Sequence, residues 1–413
     1  MGTIVPKMRG KRAVDRCRLR RNDLTTVATG LPSTLPRAAG SRWLASYATF
    51  AMPQAAVPIS FALIAFPATG DAQDGALLVL AMTLAQIVGA VPVARWGSRW
   101  NAVRFLHVLV ALRTAGLIAV AVLARFGVDF VWLSLAAAAA GFVNGAAYGY
   151  LRATLNHLIP ADRMPRMLSA AATLNEVTFV AMPVLAATLG SFSVTAAVVA
   201  PAVLGAASLL LMPRVPGASA PAASATRSAP SGQAVLWLAC VVATSSAVAA
   251  IEVGAVAIAV GFGMPTAWGA LFAVALCAAA VASGIAVGVC NWRMRTGWTA
   301  VALVVTAIGA VLAAVNIAVW VTLLGAVMIG AFLTPLATHY SLIFDEITPP
   351  DRRAEVFALY RTSVAVGIII ASAMTAFFST AAALVLSAIA ILLMLLVINV
   401  ARRRPSWGTY RRG

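Results

Sequence analysis

The sequence predicts an all-α integral membrane protein, with about twelve transmembrane helices in two pseudo-symmetric six-helix bundles and both termini in the cytoplasm. Three observations support this fold. The chain is 62% hydrophobic and only 10% charged. Its apolar residues come in blocks long enough to cross a bilayer, and the second half repeats short patterns of the first. The paragraphs below take these observations in turn.

The composition excludes a soluble globular protein. About 25% of the residues of such a protein are charged, and this chain cannot cover a water-facing surface. A membrane-spanning helix needs about 20 apolar residues. Strands of a membrane barrel would alternate apolar and polar residues, and runs such as LLVLAMTLAQIVGAVPVA do not. The predicted spans are 44–66, 75–94, 104–125, 130–151, 168–189, 193–212, 235–258, 266–289, 298–317, 321–343, 356–377 and 381–401.

The basic residues predict the orientation. With the amino terminus inside, the arginines of the loops between these spans fall on the cytoplasmic side, and Arg125 alone falls outside. Cytoplasmic loops of membrane proteins carry the excess of Lys and Arg, so this asymmetry places both termini inside. The asymmetry also supports the count of twelve helices, because one missed span would move the arginines of all later loops to the opposite side of the membrane.

The regions outside the spans complete the predicted domain organisation. Residues 1–41 are a basic tail, read as disordered cytoplasmic chain or as the product of a start codon placed too early, with a functional basic arm as the alternative. Residues 213–234 are rich in Pro, Ala and Ser and predict a cytoplasmic linker. It separates an amino-terminal bundle, 42–212, from a carboxyl-terminal bundle, 235–401, and a basic tail follows at 402–413.

Several functional classes find no support in the sequence. The net charge of +18 is spread over loops and tails, whereas a nucleic-acid surface gathers its basic residues on one face. The four cysteines form no spaced pairs, and the three histidines share no ligand spacing, so no metal site or disulfide framework is predicted. A phosphate-binding glycine loop is missing too. We expect neither an enzyme nor a cofactor.

An internal repeat relates the two halves. WLAS at Trp43 recurs as WLAC at Trp237, 194 residues later, and PADR at Pro160 recurs as PPDR at Pro349, 189 residues later. The nearly constant offset indicates a duplicated six-helix unit. Duplicated units joined by a central linker are typical of transporters whose halves move about a site near the bilayer midplane.

The chain resembles the major facilitator superfamily from about residue 42 to residue 404. The family's signature between its second and third helices appears as AVPVARWGSR, in which Arg95, Gly97 and Arg99 match. Drug exporters of the family share an arginine in the fourth helix, where this chain has Gly141, and a glycine-rich proline motif in the fifth, of which Pro183 remains. The resemblance implies transport of a small molecule, and it assigns no subfamily.

Glu252 is the leading candidate for coupling or substrate binding. It lies about seventeen residues into the seventh span, near the midplane, where an ionised side chain is costly. In the family that this chain resembles, the first, fourth, seventh and tenth helices line the central cavity. In the repeat, Pro58 of the first span is the position equivalent to Glu252, and Gln54 lies one helical turn before Pro58. We interpret Glu252 as a proton carrier or as the counter-charge of a cation; the alternative is a protonated structural glutamate.

Arg113 and Glu176 form a second candidate group. They lie at similar depths, about nine and eight residues from the cytoplasmic side of the third and fifth spans. Equal depth permits an ion pair, which we expect to pin two helices of the first half, with a coupling role as the alternative. Asn144 and Tyr148 of the fourth span are further cavity candidates.

The cytoplasmic loops provide candidate gates. Asp162 with Arg163 and Asp351 with Arg352 recur in register at the entries of the fifth and eleventh spans, and Arg95, Gly97 and Arg99 mark the loop after the second span. The recurrence predicts paired latches that stabilise one conformation over the other. A simple helix-start role for Pro and Asp is the alternative.

Together these features predict an alternating-access secondary transporter of a small organic molecule, working as a proton-coupled exporter. Two alternatives stay open: an uptake permease or facilitator of the same fold, and a transport-inactive membrane partner or sensor. We expect a monomer in the cell (inner) membrane, crossing the bilayer many times. Its partners are the small-molecule substrate, protons and the lipid bilayer, without nucleic acid, metal or cofactor.

Overall fold

The computed structural model describes residues 37–69, 74–213 and 231–402. It divides the chain into Met1–Ala39 and Gly40–Gly413, and the fold reported below is that of the second unit. Most of the basic amino-terminal tail, most of the linker and nearly all of the carboxyl-terminal tail lie outside the described residues. The predictions made for those three segments therefore stay predictions.

The described chain is almost entirely helical and contains twelve helices long and apolar enough to cross a membrane. The prediction of twelve spans is confirmed, and each helix overlaps the corresponding predicted span. The helices are α1 Arg37–Thr69, α2 Asp74–Gly97, α3 Ala102–Arg125, α4 Phe130–Leu158, α5 Met164–Phe192, α6 Val194–Ala206, α7 Gly232–Gly261, α8 Ala270–Cys290, α9 Thr296–Val315, α10 Val319–Ile347, α11 Arg353–Phe377 and α12 Thr380–Arg402. A short helix, Ser208–Leu211, extends α6 and completes its span.

Local sequence signals explain where several helices begin. Asn101 caps α3, because its side-chain oxygen accepts hydrogen bonds from the backbone N–H groups of Val103 and Arg104. Ser193 and Ser231 cap α6 and α7 in the same way. A single residue, Ser193, connects α5 to α6, so these two helices are held as close antiparallel neighbours.

The two halves pack alike. Within the first half α2 packs on α4, α3 on α4 and α6, and α5 on α6; the same contacts recur six helices later, as α8 on α10, α9 on α10 and α12, and α11 on α12. The contacts between the halves also form symmetric pairs. The packing of α5 on α8 corresponds to that of α11 on α2, and the packing of α4 on α11 corresponds to that of α10 on α5. The duplicated sequence therefore folds into two similar bundles related by a pseudo-two-fold.

Gly141 shows how tightly the helices of the first half cross. A Cβ at this position would overlap the backbone carbonyl oxygen of Met82 on α2. The site has no room for any side chain, which explains why the arginine of the drug exporters has no counterpart in this fourth helix. Close helix crossing and that arginine are incompatible in this chain.

The halves meet at one end of the bundle. The loops before α3, α5, α9 and α11 all lie at this end, which we call the basic end because it carries Arg95, Arg152, Arg163, Arg293 and Arg352. The sequence predicts that the basic end faces the cytoplasm. Asn291 donates a hydrogen bond to the Asp162 carbonyl oxygen at 2.6 Å, and Arg166 donates one to the Gly288 carbonyl oxygen at 2.9 Å. These bonds join the first half to the second.

Candidate coupling and substrate site

Two membrane-embedded glutamates meet across the halves. Glu176 of α5 and Glu252 of α7 lie close to Cys277 of α8: one carboxylate oxygen of each glutamate and the Cys277 Sγ all lie within 4.8 Å of one another. Glu176 and Cys277 are partly buried, whereas Glu252 is exposed. Glu252 therefore lies where α5 of the first half meets α7 and α8 of the second. We call these three residues the carboxyl cluster.

Among the described residues, no basic side chain forms an ion pair with the carboxyl cluster. In the described part of the chain, no Lys, Arg or His nitrogen lies within 4 Å of either carboxylate. Two ionised carboxylates at this separation repel each other, and a shared proton or a bound cation relieves the repulsion. The cluster can therefore hold a proton or a positively charged group.

Arg113 lies elsewhere, and the predicted ion pair with Glu176 is wrong. Its Nη1 donates to the Phe50 carbonyl oxygen and to Asn144 Oδ1, both at 3.0 Å, and its guanidinium carbon stands 4.1 Å from the centre of the Phe50 ring. The side chain is 1% exposed. Equal depth did not bring the two groups together, because α3 packs against α4 and α6 while Glu176 turns toward α7 and α8.

A polar network extends from Arg113 toward the space between the halves. Asn144 Nδ2 donates to Gln86 Oε1 at 2.6 Å and to Gln54 Oε1 at 2.8 Å. The bonds tie α1, α2, α3 and α4 together. Asn144 is buried and Gln54 is partly buried, while Pro58, one turn further along α1, is exposed. The structure thus brings together two of the predicted cavity residues, Gln54 and Asn144.

Ion pairs close the basic end. Arg152 of α4 donates to Asp345 of α10 at 2.5 Å, and Asn156 donates to the other oxygen of the same carboxylate. Arg95 of α2 donates to Glu355 of α11 at 2.7 Å. Each pair joins the first half to the second, and we call the two pairs the latch.

The loops predicted as latches make different contacts. The carboxylates of Asp162 and Asp351 form no ion pair within 4 Å in the described part of the chain, and both residues are exposed, as are Arg163 and Arg99. Arg352 approaches Glu355 of its own half at 3.4 Å. Gly97 is buried against the Phe105 ring, where a Cβ would overlap the ring atoms. Of the predicted gate residues, Arg95 forms an ion pair with the opposite half, and Asp162 accepts the Asn291 hydrogen bond from the opposite half through its backbone carbonyl. The gating role of all of these residues stays a prediction.

Aromatic rings lie between the latch and the carboxyl cluster. Tyr148 of α4 stacks on Tyr360 of α11 across the halves, with ring centres 6.3 Å apart, and Tyr47 of α1 meets Tyr148 edge-on at 6.2 Å. Phe344 of α10 contacts Tyr360 at 5.9 Å. Beside them, the guanidinium carbon of Arg361 stands 5.8 Å from the centre of the Tyr148 ring. We call this group the aromatic layer.

The sequence prediction missed three features of the site. Arg361 lies five residues inside the predicted eleventh span, so its intramembrane position was visible in the sequence. Cys277 carried no signal beyond being a polarisable residue in an apolar helix. Arg152, Asp345 and Glu355 were placed at helix ends, and their pairing depends on how the halves meet, which a single sequence does not encode in any local pattern.

Comparison with known proteins agrees with this architecture. The sequence model of the Major Facilitator Superfamily matches residues 43–372. No curated protein sequence gives a match. A bacterial homologue of the iron transporter ferroportin, solved in an outward-facing state, is 16% identical with a TM-score of 0.70, covering 89% of this chain and 100% of its own.

Two sugar transporters have a similar fold. The E. coli fucose:proton symporter is 12% identical with a TM-score of 0.65, covering 87% of this chain and 98% of its own. A proton:xylose symporter, solved with 6-bromo-6-deoxy-D-glucose, is also 12% identical, with a TM-score of 0.67, covering 87% of this chain and 95% of its own. At these identities the likeness concerns the fold alone.

Proposed function

Since the chain belongs to the major facilitator superfamily, whose sequence model matches residues 43–372, we propose that it is an alternating-access secondary transporter of a small organic molecule, coupled to protons. Family membership makes it a multi-pass membrane transporter rather than an enzyme. The observation that carries the proposal is the approach of Glu176 and Glu252 from opposite halves.

The carboxyl cluster links proton occupancy to the position of the halves. When the two carboxyl groups are close, a proton shared between them removes the repulsion of two negative charges. When the halves separate, water solvates each group and that proton is released. Protonation therefore favours the conformation in which α5 and α7 are close, and loss of the proton favours the one in which they are apart. A proton-driven transporter needs this coupling between protonation and conformation.

For the direction of transport we propose export across the cell (inner) membrane, on the family resemblance and the acidic Glu252 near the midplane. Uptake by the same fold is the alternative. A sensor that binds without transporting is the other alternative. Purified protein in liposomes separates all three, because accumulation against a gradient shows transport, the sign of the driving pH gradient shows direction, and binding without flux shows a sensor.

Glu252→Gln tests the coupling. The amide keeps the size and hydrogen bonding of the side chain but does not ionise, so we expect substrate exchange to persist and accumulation driven by the pH gradient to disappear. Glu252→Asp should keep coupling with a shifted pH profile. Asp129→Asn, at an exposed carboxylate of the loop before α4, is the control and should transport as the parent does. Accumulation by Glu252→Gln at the parent's level would contradict the proposal.

A second function, transport of a divalent transition metal ion, is favoured by the donors of the carboxyl cluster. Two carboxylates and a thiolate suit ions such as Zn²⁺ or Fe²⁺. Ligand atoms of a tetrahedral Zn²⁺ site lie about 3.3–3.8 Å apart, because each bond is about 2.0–2.3 Å. The donors here lie within 4.8 Å of one another, so a closure of about 1 Å would bring them onto one ion.

Cys277→Ser discriminates between the two functions. It removes the soft donor and leaves both carboxyl groups. If metal is the cargo, we expect Zn²⁺ flux into liposomes by the parent and a loss of about tenfold or more in this variant. If an organic molecule is the cargo, the parent should carry no Zn²⁺, and the variant should keep its pH-driven accumulation.

A further inference from the structure

We propose that Arg361, together with the Tyr148 ring, recognises a carboxylate group of the substrate. The proposal rests on the proposed function and names the substrate class, an organic anion that carries an aromatic or other flat apolar part. It is independent of the direction of transport. It also concerns a different part of the cavity from the carboxyl cluster.

Arg361 lacks a counter-charge. In the described part of the chain its side chain makes no ion pair and no hydrogen bond, and its guanidinium carbon stands 5.8 Å from the centre of the Tyr148 ring. It is only partly buried. An arginine inside a membrane-spanning helix is costly unless it faces a cavity or a partner. Arg361 therefore presents unused N–H donors to the space between the halves.

The position of Arg361 separates it from the latch. It follows Glu355 by six residues on α11, which places it about 9 Å further from the basic end. The latch arginines both have carboxylate partners across the halves, Arg95 with Glu355 and Arg152 with Asp345. Arg361 stands instead next to the aromatic layer, where the closed basic end gives way to the cavity.

The charged groups inside the membrane need one further negative charge for neutrality. Arg113, within electrostatic reach of Arg361, is 1% exposed, and its Nε and Nη2 have no hydrogen-bond partner in the described chain. Arg152 is matched by Asp345. A carboxyl cluster that holds one shared proton carries one negative charge against the two cations Arg113 and Arg361. A singly charged substrate restores the balance, whereas a doubly charged phosphate would exceed it.

The chemistry of the groups indicates a carboxylate with a flat apolar part. A guanidinium donates two parallel N–H bonds to the two oxygens of a carboxylate. The Tyr148 and Tyr360 rings lie beside it, stacked on each other and 9% exposed each, so an aromatic ring of the substrate would meet them edge-on. Arg361 would thus bind the charged group of an organic anion, and the tyrosine rings would contact its apolar part.

Matched probes test the proposal without knowledge of the natural substrate. Phenylacetate and phenylacetamide share their shape and differ in charge, so thermal unfolding of the purified full-length protein at increasing probe concentration isolates the carboxylate contribution. In the parent we expect half-saturation by phenylacetate at a concentration about tenfold lower than by phenylacetamide, the usual effect of a charge-assisted hydrogen bond.

Variants of Arg361 locate the effect. Arg361→Gln should bind both probes alike, and Arg361→Lys should keep a reduced preference for the carboxylate. Arg104→Gln removes an exposed guanidinium whose side chain makes no hydrogen bond or ion pair in the described chain, and it should behave as the parent. If Arg361→Gln does not fold, Arg361→Lys carries the test, because a weakened preference for phenylacetate with unchanged phenylacetamide binding is still expected.

Three results would overturn the proposal: no stabilisation of the parent by phenylacetate, equal affinities for the two probes in the parent, or an undiminished carboxylate preference in Arg361→Gln. The last result would assign Arg361 to closing the aromatic layer instead. The assay uses no proton gradient. A failure of proton coupling in Glu252→Gln experiments is therefore separate from a failure of anion binding.

Discussion

Arg152 of the first half and Asp345 of the second are joined by a 2.5 Å hydrogen-bonded ion pair, although 193 residues separate them in the chain. Arg152 is 1% exposed, so its charge is nearly surrounded by protein while the halves are in contact. The guanidinium also stands 4.3 Å from the centre of the Phe357 ring of the second half. The pair therefore belongs to the conformation in which the basic end is closed.

Breaking the latch should open the basic end. Asp345→Asn with Glu355→Gln leaves Arg152 buried without a carboxylate, a situation that costs about 3–5 kcal/mol in a dry site and that hydration relieves once the halves separate. We expect an Ala358→Cys reporter, which packs against Gly149 of α4, to react with a maleimide about tenfold faster or more in this variant. The native cysteines are replaced by serine in all proteins compared.

Asp162→Asn is the matched control for the latch. Asp162 lies at the same end but is exposed and makes no ion pair among the described residues, so labelling of Ala358→Cys should stay at the parent's rate. Labelling that rises as much in Asp162→Asn as in the double variant would show that the repeated Asp-Arg loops, and not the Arg152 and Glu355 pairs, hold the basic end closed.

Arg113 should be coupled energetically to Asn144 and not to Glu176. Arg113→Met keeps an unbranched apolar stem but removes the guanidinium, and with it the hydrogen bond to Asn144. In a double-mutant cycle with Asn144→Ala, measured by thermal unfolding in detergent, we expect a coupling of about 1 kcal/mol or more, as for residues that share a network.

The same cycle with Glu176→Gln is the control. Arg113 and Glu176 form no ion pair in the structure, so their effects on unfolding should add to within about 0.5 kcal/mol. A large coupling between Arg113 and Glu176, together with additive effects of Arg113 and Asn144, would restore the ion pair that the sequence suggested.

Gly141→Ala should destabilise the first half. The new Cβ would overlap the Met82 carbonyl oxygen, and forced overpacking costs about 1–3 kcal/mol. Gly261→Ala is the control, because its Cβ would meet only Asn316 at an ordinary 3.4 Å, and it should be neutral or slightly stabilising. Equal melting temperatures for the two variants would mean that α2 and α4 are not held at the distance described.

The helices were predictable because hydrocarbon imposes length and composition on every span. Apolar blocks, short loops and the positions of the arginines sufficed to place all twelve spans. Glu252 could be identified too, because an acid within an apolar block stands out by composition alone. The pairing of residues could not be predicted in this way. Depth follows from position along a helix, but the direction in which a side chain points and the helix that it meets depend on packing.

Glu176 illustrates that limit. Its depth matched that of Arg113, yet it faces Glu252 and Cys277. The two halves of the chain meet through α5, α8, α2 and α11, and this arrangement decides which charges come together. Arg361 was not among the predicted site residues, although it lies five residues inside the predicted eleventh span.

The central claim is that protonation of the carboxyl cluster controls how the halves are arranged, and it can be measured without a substrate. Spin labels at His157→Cys of α4 and Glu346→Cys of α10, both exposed at the basic end, report the distance between the halves by double electron–electron resonance. The native cysteines are replaced by serine. Ionising both glutamates adds repulsion between α5 and α7, so it disfavours the conformation described here.

The most direct test compares that distance distribution at about pH 5 and at about pH 8 in three proteins: the parent, Glu252→Gln and Glu176→Gln. Between these two pH values a proton shared by two carboxyl groups, and His residues, can titrate. The account predicts that raising the pH increases the population with a wide basic end in the parent. Either Gln variant should lose that response. An undiminished pH response in both variants, or none in the parent, would contradict the account.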